Sequence, residues 1–221
     1  MLRTLSTSLA CIFEYPDIID RKDLSNYLKE KGFMLPTMKK EEILTSSGFP
    51  LGEAFAEIPI IAYRSEETDK INILYNNNAK LAGFPSSSFV SVVSGDFEKT
   101  YETFKLIQSY ISDKGLSNEI KIYEATFTGL VEKEELKERV RNFLPPEEAS
   151  KFESVLTQSP VLISFRIRGD DPQTSGWYDL MIDTSVSGNP KLSLLRFVTR
   201  FDEPIEYLKI KGKIKEILAV I

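Results

Sequence analysis

The chain has 221 residues, of which 42% are hydrophobic and 28% are charged, and its formal net charge is −5. That balance is typical of a globular protein with one large domain or two small ones, and the acidic total excludes a surface given over wholly to polyanions. There is no histidine and a single cysteine, Cys11. Triads with a histidine base, histidine-held zinc and an intrachain disulfide framework are therefore excluded.

The composition also bears on location. No apolar run approaches the roughly 18 residues of a membrane span, and segment 2–13 lacks the apolar core of a signal peptide. A lone cysteine suggests a reducing compartment. We therefore expect a cytoplasmic protein that does not contact a membrane, and its abundant lysine, glutamate and isoleucine are typical of thermophiles.

The first half of the chain predicts a strand, a helix, three strands and a second helix. Residues 5–15 alternate, which places one set of apolar side chains on a buried strand face: Leu5, Leu9, Cys11, Phe13 and Tyr15. Asp20 is the predicted N-cap of a helix that ends before Gly32. Three strands are then predicted, over 58–64, 70–76 and 89–94, with a tight turn at the asparagines 76–78. Asp96 precedes a predicted helix over 97–112.

The second half predicts the same order of elements. A strand over 120–127 is followed by a helix over 132–143 and a short helix over 146–156. Three further strands are predicted, over 161–168, 177–184 and 191–201. Asp202 is the predicted N-cap of a last helix with Pro204 in its first turn. The inward stripe of this helix is Ile210, Ile214, Ile217, Leu218 and Ile221.

An internal repeat organises these elements. Residues 18–28 return as residues 130–140, a shift of 112 positions, with two aliphatics, an acid and a base, and two more aliphatics four residues apart. The sequence therefore predicts an α+β fold made by internal duplication of a strand–helix–(three or four antiparallel strands)–helix unit. The two repeats, 1–114 and 115–221, would form a single pseudo-twofold domain, 1–221, with one curved antiparallel sheet and the helices on one face.

This order of elements resembles the fold of the TATA-box-binding protein family, whose halves each run strand, helix, four strands, helix. The resemblance covers most of the chain and is one of architecture, because no DNA-contacting residue of that family is in register here. It implies the saddle-like arrangement and does not imply DNA binding. A second resemblance, to the duplicated modules of bacterial effector-binding domains, implies a small-molecule pocket between the halves.

The helix-free face of the second half carries the candidate binding residues. A hairpin with its turn at 169–176 would place Arg168 opposite Trp177, Arg166 opposite Asp179 and Ser164 opposite Met181. Together with the next strand, the exposed face would then hold six candidate binding residues: Arg166, Arg168, Trp177, Asp179, Arg196 and Arg200. Arginine and tryptophan are typical interface anchors. The other interpretation is a surface of cross-strand ion pairs with Asp179 and Asp183.

The opposite face of the same hairpin is the predicted core, formed by Phe165, Leu180 and Phe197 beneath the last helix. The adjacent Asp170 and Asp171 before a proline are typical of a turn rather than of a metal site. Four lysines on the last helix are typical of a solvated helix end: Lys209, Lys211, Lys213 and Lys215. The sequence contains no dinucleotide fingerprint and no phosphate-binding glycine loop. We therefore assign no catalytic residue, no metal ligand and no cofactor.

Three hypotheses about function follow. The first is a non-enzymatic binding module that takes a macromolecular partner, a protein or a nucleic acid, on the helix-free sheet face. The second is a small-molecule-binding domain with a pocket between the two halves. The third is an enzyme of unknown class.

Overall fold

A computed structural model describes residues 2–36, 60–66, 69–132, 164–184 and 192–220, together with the single positions 136, 140, 145, 147, 150 and 151. These residues form a mixed α+β structure with one eight-stranded antiparallel sheet. The strands, in chain order, are β1 (Leu2–Phe13), β2 (Ile60–Ser65), β3 (Lys70–Leu81), β4 (Phe84–Ser94), β5 (Ile120–Glu132), β6 (Ser164–Arg168), β7 (Tyr178–Asp183) and β8 (Leu192–Phe201).

The sheet is centred on β1 and β5. Its order is β2-β3-β4-β1-β5-β8-β7-β6, so the strands of the first half lie on one side of the β1–β5 seam and those of the second half lie on the other. Cys11 is opposite Tyr123 in this seam, and the pairing runs from Leu2↔Val131 to Phe13↔Ile120 with two register shifts. The long β1–β5 ladder joins the two halves into one continuous sheet.

Three helices are described over their whole length: α1 (Arg21–Glu30), α2 (Phe97–Asp113) and α3 (Ile210–Val220). The caps of α1 and α2 confirm the sequence signals, because the carboxylate of Asp20 accepts from the N–H groups of Lys22 and Asp23, and that of Asp96 accepts from the N–H of Lys99. Gly32 lies just beyond α1 with φ 84°, as a glycine stop requires. None of the described helices combines the length and apolarity needed to cross a bilayer.

The start of the last helix differs from the prediction. A 3₁₀ segment, Pro204–Lys209, precedes α3, and its N-cap is Glu203 rather than Asp202, with no side-chain capping bond. Pro204 explains the position, because its fixed φ suits the first turn and its missing N–H needs no partner there. Ile210 and Ile214 are buried in the predicted stripe, whereas Ile217 and Leu218 are partly buried; Ile221 lies outside the described residues.

The predicted turn at the three asparagines 76–78 is wrong. Strand β3 continues through them to Leu81, with a register irregularity between Asn76 and Ala79. The chain turns instead at Ala82 and Gly83, and Gly83 supplies the positive φ of 78°. Pairing of Leu81 with Phe84 makes the β3–β4 hairpin longer than the apolar pattern alone indicates.

The main core lies between the sheet and the helices. Alternate residues of β1, namely Leu9, Cys11 and Phe13, belong to it, as the strand periodicity predicts. Leu5 and Tyr15, predicted on the same face, are exposed. Leu5 sits in the register shift between Thr4 and Ser6, and Tyr15 follows the end of β1, so neither keeps the alternation.

A smaller cluster lies on the opposite face of the sheet, and all of its described members are strand residues. Its buried members are Ile12, Ala79, Phe84, Phe89 and Ile122. No residue of a described helix belongs to it, so this side is called the helix-free face below. The face is therefore apolar near the β3–β4 hairpin.

The buried helix positions of residues 18–28 recur 112 positions later, in residues 130–140. The end of the strand that precedes each helix does not recur at that shift. Leu24 and Leu28 are fully buried in α1, and the helical positions Leu136 and Val140 are fully buried in the same core. Residues 18 and 19, however, follow β1, whereas their counterparts 130 and 131 lie within β5. The described strand β5 thus runs further toward its helix than β1 does.

Candidate functional site on the helix-free sheet face

Three rows of side chains cross the helix-free face of the second half. Backbone register places Arg166, Met181, Arg196 and Thr128 directly opposite one another on β6, β7, β8 and β5. The rows on either side are Arg168–Asp179–Val198–Thr126 and Ser164–Asp183–Leu194–Leu130. Neighbouring strands lie about 4.8 Å apart, so Arg166 and Arg196 flank Met181 within one compact surface. We call the set of Arg166, Met181, Arg196 and Thr128, together with the neighbouring Arg168, the arginine row.

The hairpin register differs by two residues from the predicted one. Arg166 is opposite Met181, Arg168 is opposite Asp179 and Ser164 is opposite Asp183. The first hairpin bond joins the N–H of Gly169 to the carbonyl of Tyr178 at 2.9 Å. Trp177 is therefore a loop residue rather than the first residue of β7, and this lengthens the loop.

Arg166 and Asp179 form a bidentate ion pair along the diagonal of this register. Nε of Arg166 donates to Oδ1 of Asp179 at 2.7 Å, and Nη2 donates to Oδ2. The hydrogen bond to Asp179 raises the pKa of Arg166 above its ordinary value. The Arg166 side chain is 55% exposed, whereas that of Asp179 is 12% exposed, so the predicted cross-strand pairing exists and still leaves the guanidinium in contact with solvent.

Trp177 and Arg200, two of the predicted binding residues, are buried rather than exposed, and so is a third, Asp179. Trp177 is 6% exposed and Arg200 is 2% exposed. The guanidinium carbon of Arg200 lies 4.6 Å from the centroid of the Trp177 ring, and the indole Nε1 donates to the carbonyl of Gly169 at 2.9 Å. The prediction that these two side chains line an open surface is therefore wrong, because each is covered by the other and by neighbouring chain.

Arg200 joins four separate segments of the chain. Its Nε and Nη2 contact Oε2 of Glu124 on β5 at 2.8 and 2.7 Å. Its Nη1 donates to the carbonyl of Ala82 in the β3–β4 turn at 2.7 Å and to the carbonyl of Pro172 in the β6–β7 loop. The Phe84 ring lies 5.1 Å from the guanidinium carbon. A buried arginine is tolerated when its charge and donors are satisfied in this way.

These contacts, called the Arg200 clamp below, close one end of the helix-free face. The β3–β4 turn of the first half and the β6–β7 loop of the second half meet over the sheet, and Nε2 of Gln173 donates to the carbonyl of Gly83 at 2.7 Å. Arg196 lies four residues along β8 from Arg200, which is about 13 Å in a strand. The arginine row is thus outside the clamp and remains accessible.

The described residues on the accessible part of the face carry little net charge. Arg166 and Arg168 are exposed, Arg196 and Met181 are partly exposed, and Asp183 is partly exposed beside them. Among the described residues of this surface, three guanidiniums and the carboxylates of Asp179 and Asp183 sum to one net positive charge. The surface combines a sulfur-bearing apolar side chain with flanking arginines, a composition that is enriched in protein interfaces.

A cavity of about 510 Å³ lies elsewhere, at the turn between β1 and α1. Its lining comes from residues 17–21 together with Tyr75 and Asn77. Asp17 has φ 55°, a conformation that costs energy for a residue other than glycine, and Asn77 holds it by donating Nδ2 to Oδ1 at 2.6 Å. The lining residues all come from the first half, so this cavity does not match the predicted pocket between the halves.

The other residues considered from the sequence have structural explanations. Within the described ranges, no group of three or more His, Cys, Asp or Glu side chains is arranged to hold a metal ion. Oδ1 of Asp171 accepts from the N–H of Gln173 at 2.9 Å, as in a turn. Burial raises the pKa of the Cys11 thiol to about 12, which makes it unreactive at neutral pH. All four lysines of the last helix region are exposed.

Sequence patterns did not indicate the clamp or the cavity. The clamp depends on Glu124, Phe84 and two carbonyls that are distant from Arg200 in the chain. One available signal was the parity of Glu124, an acid on the same sheet face as Arg200 and directly opposite it on the neighbouring strand.

Comparisons of the chain with protein-family models, with curated proteins and with solved structures find no match.

Proposed function

We propose that this chain is a non-enzymatic binding module that takes an acidic protein segment on the arginine row of its helix-free face. The observation that carries the proposal is the row itself: Arg166 and Arg196 lie on either side of Met181, and Arg168 lies next to Arg166 on the same face. Arginines around an apolar anchor suit a partner that presents carboxylates around an apolar side chain.

A protein partner is favoured over a nucleic acid by charge. The one net positive charge of the described residues on this surface neutralises few phosphates, and each neutralised phosphate contributes only about −0.7 to −0.9 to the log–log salt slope. The whole chain carries −5, so long-range attraction to a polyanion is absent as well. Interfaces with proteins need only local complementarity, which the arginine row provides.

The experiment is site-specific crosslinking in a lysate of the source cells. A photo-crosslinking amino acid replaces Met181 in one protein and the exposed Lys211 of α3 in a matched control. We expect a discrete protein adduct from position 181 that is absent from position 211 and is lost when Arg168→Glu is added. Equal adducts at both positions, or adducts that nuclease digestion removes, would contradict the proposal.

We also propose that the halves 1–114 and 115–221 are a duplicated unit within one pseudo-twofold domain, as in the TATA-box-binding protein architecture. Two observations support this: the strand order is the same outward from the β1–β5 seam on both sides, and Leu24 and Leu28 have buried helical counterparts in Leu136 and Val140. An experimental structure in which the two helices occupy different positions relative to their sheets would contradict it.

The second candidate function is small-molecule binding at the β1–α1 cavity. Its supporting observation is the left-handed conformation of Asp17, held at the cavity wall by Asn77. A thermal-shift screen of small polar metabolites, with Asn77→Ala as the comparison, tests it. Stabilisation of the wild type that Asn77→Ala abolishes would favour this function; the absence of any stabilising compound would leave the arginine row as the better site. An enzyme of unknown class stays the third hypothesis.

A further inference from the structure

We propose that the outer edge of β6 binds its partner as an added β-strand, and that this strand is an extended acidic segment with carboxylates at alternate positions. The inference rests on the proposed function, because Arg166 and Arg168 belong to both. It adds the binding mode and the sequence pattern of the partner. Strand addition is a common way to recognise extended peptides, since backbone bonds provide affinity and alternate side chains provide specificity.

The first argument concerns the backbone of β6. This strand is the last in the sheet order, with β7 on one side. Gly169 and Tyr178 are a hydrogen-bonded pair, with N–H to carbonyl at 2.9 Å. Antiparallel pairs alternate, so Ile167 bonds to β7 and the N–H and carbonyl groups of Arg166 and Arg168 point outward. No backbone partner for either residue is found among the described residues.

The second argument concerns the side chains along that edge. Arg166 and Arg168 share the helix-free face, and both are exposed. Ile167 between them points to the other face and is 50% exposed, and the nearby Tyr178 is 40% exposed. An added strand would place every second residue about 4.5–5.5 Å from an arginine. Its remaining residues would lie beside Ile167, so the pattern that fits is acid, apolar, acid.

The third argument concerns a second copy of this edge, which three of its antiparallel registers disfavour as the occupant. Pairing of two β6 strands about Arg166 opposes Arg166 to itself, pairing about Arg168 opposes Arg168 to itself, and pairing about Ile167 opposes Arg166 to Arg168. Like charges directly opposite destabilise a strand pair, and charged side chains on an edge are a common protection against self-association. The same charges favour an acidic strand.

The probe is a blocked peptide of about seven residues that alternates glutamate and valine, a typical strand length. Residues opposite Arg166 and Arg168 would exchange backbone bonds with them, and these are the glutamates. N-methylation of the glutamates should therefore weaken binding by about tenfold or more, since each lost bond is worth about 1 kcal/mol. N-methylation of the valines should change the dissociation constant by less than about threefold.

Protein variants test the same edge from the other side. Arg168→Ala removes one charge, whereas Arg168→Pro removes that charge and the outward N–H; an edge position tolerates proline. We expect Arg168→Pro to bind the peptide at least about fivefold more weakly than Arg168→Ala, because one further hydrogen bond is lost. Thermal unfolding of both variants checks that the hairpin is intact, and Ser164→Pro against Ser164→Ala repeats the comparison at a second outward position.

The outcomes separate the two proposals. If both N-methylated peptides bind like the parent peptide, strand addition is wrong while binding at the arginine row stands. If the parent peptide does not bind the wild type, both proposals fail. If Arg168→Ala binds the peptide as well as the wild type does, the acidic segment that both proposals share is wrong. If sedimentation shows a wild-type dimer that Arg168→Pro dissociates, the occupant is a second copy and the inference is overturned.

Discussion

Glu124, which is partly buried, and Arg200, which is buried, form an ion pair across the β5–β8 ladder, with Oε2 of Glu124 2.7 Å from Nη2 of Arg200. The arginine side chain is 1% exposed and the glutamate side chain is 18% exposed. The same guanidinium also bonds to the carbonyl of Ala82, which belongs to the other half of the sheet. This pair therefore connects the ladder to the β3–β4 turn and helps to hold the two halves together over the helix-free face.

Arg200→Ala should destabilise the protein by about 3–5 kcal/mol, because Glu124 would keep its burial and lose its counter-charge. The double variant Arg200→Met, Glu124→Gln should lose less stability than Arg200→Ala, since no uncompensated charge remains. Urea denaturation of the three proteins measures both effects. A loss of less than about 1 kcal/mol for Arg200→Ala, the size of a surface substitution, would mean that the clamp does not form in solution.

Trp177 is the single tryptophan, so its fluorescence reports on the clamp directly. We expect a blue-shifted emission that iodide quenches little, because the ring is covered by Arg200. Trp177→Phe should cost about 1 kcal/mol for the lost bond to Gly169. Trp177→Ala should cost about 3–5 kcal/mol, since the packing on Arg200 is lost as well. Emission typical of a water-exposed indole would contradict the burial.

The two faces of the hairpin should respond differently to truncation. Leu180 is buried in the main core, so Leu180→Ala should destabilise by about 2–5 kcal/mol. Ile167 is half exposed, so Ile167→Ala should stay within about 1 kcal/mol of the wild type. Phe165, predicted as core, is only partly buried, and Phe165→Ala should fall between these values. Chemical denaturation checks the order; a larger loss for Ile167→Ala than for Leu180→Ala would reverse the assignment of the faces.

The Cys11 thiol should make stability depend on alkaline pH. Burial raises its pKa from 9.0 to about 12, so the folded state keeps the proton over a range in which the unfolded state releases it. The contribution of the thiol to the free energy of unfolding is fully present below pH 9. It is lost as pH rises from about 9 to about 12, at about 1.4 kcal/mol per pH unit.

The matched control is Cys11→Ala, because the buried tyrosines Tyr110 and Tyr207 also have raised pKa values and titrate at high pH. The difference in the free energy of unfolding between the two proteins should shrink across that pH range. A difference that stays constant from pH 8 to about pH 11 would show that the thiol does not ionise selectively in the unfolded state.

The sequence predicted elements whose cause is local. Asp20 with Gly32 delimits α1, and Asp96 precedes α2, because a capping carboxylate and a positive-φ glycine act within a few residues of the helix end. Strand parity likewise assigned Leu180 and Phe197 to the core and Arg166 and Arg196 to the other face. The arginine row could be found this way since alternation depends only on backbone geometry.

Strand ends and the hairpin register depended on contacts between segments. The asparagines 76–78 have turn propensity, yet pairing with β4 carries β3 through them to Leu81. Trp177 has strand propensity, yet its bond to Gly169 and its packing on Arg200 place it in a loop and shift the register by two residues. Local preference is worth less than about 1 kcal/mol per residue, so a few tertiary contacts override it.

By itself, the amino-acid sequence determined the order of the described strands, the caps of α1 and α2 and the side of the sheet on which each arginine lies, because these follow from periodicity and from short-range hydrogen bonds. Only the tertiary structure decided which of those arginines meet solvent. Arg200 became a buried clamp because Ala82, Phe84, Glu124, Pro172 and Trp177 converge on it from distant parts of the chain. Arg166 and Arg168 lie on the edge strand, beyond the reach of those segments, and stay exposed.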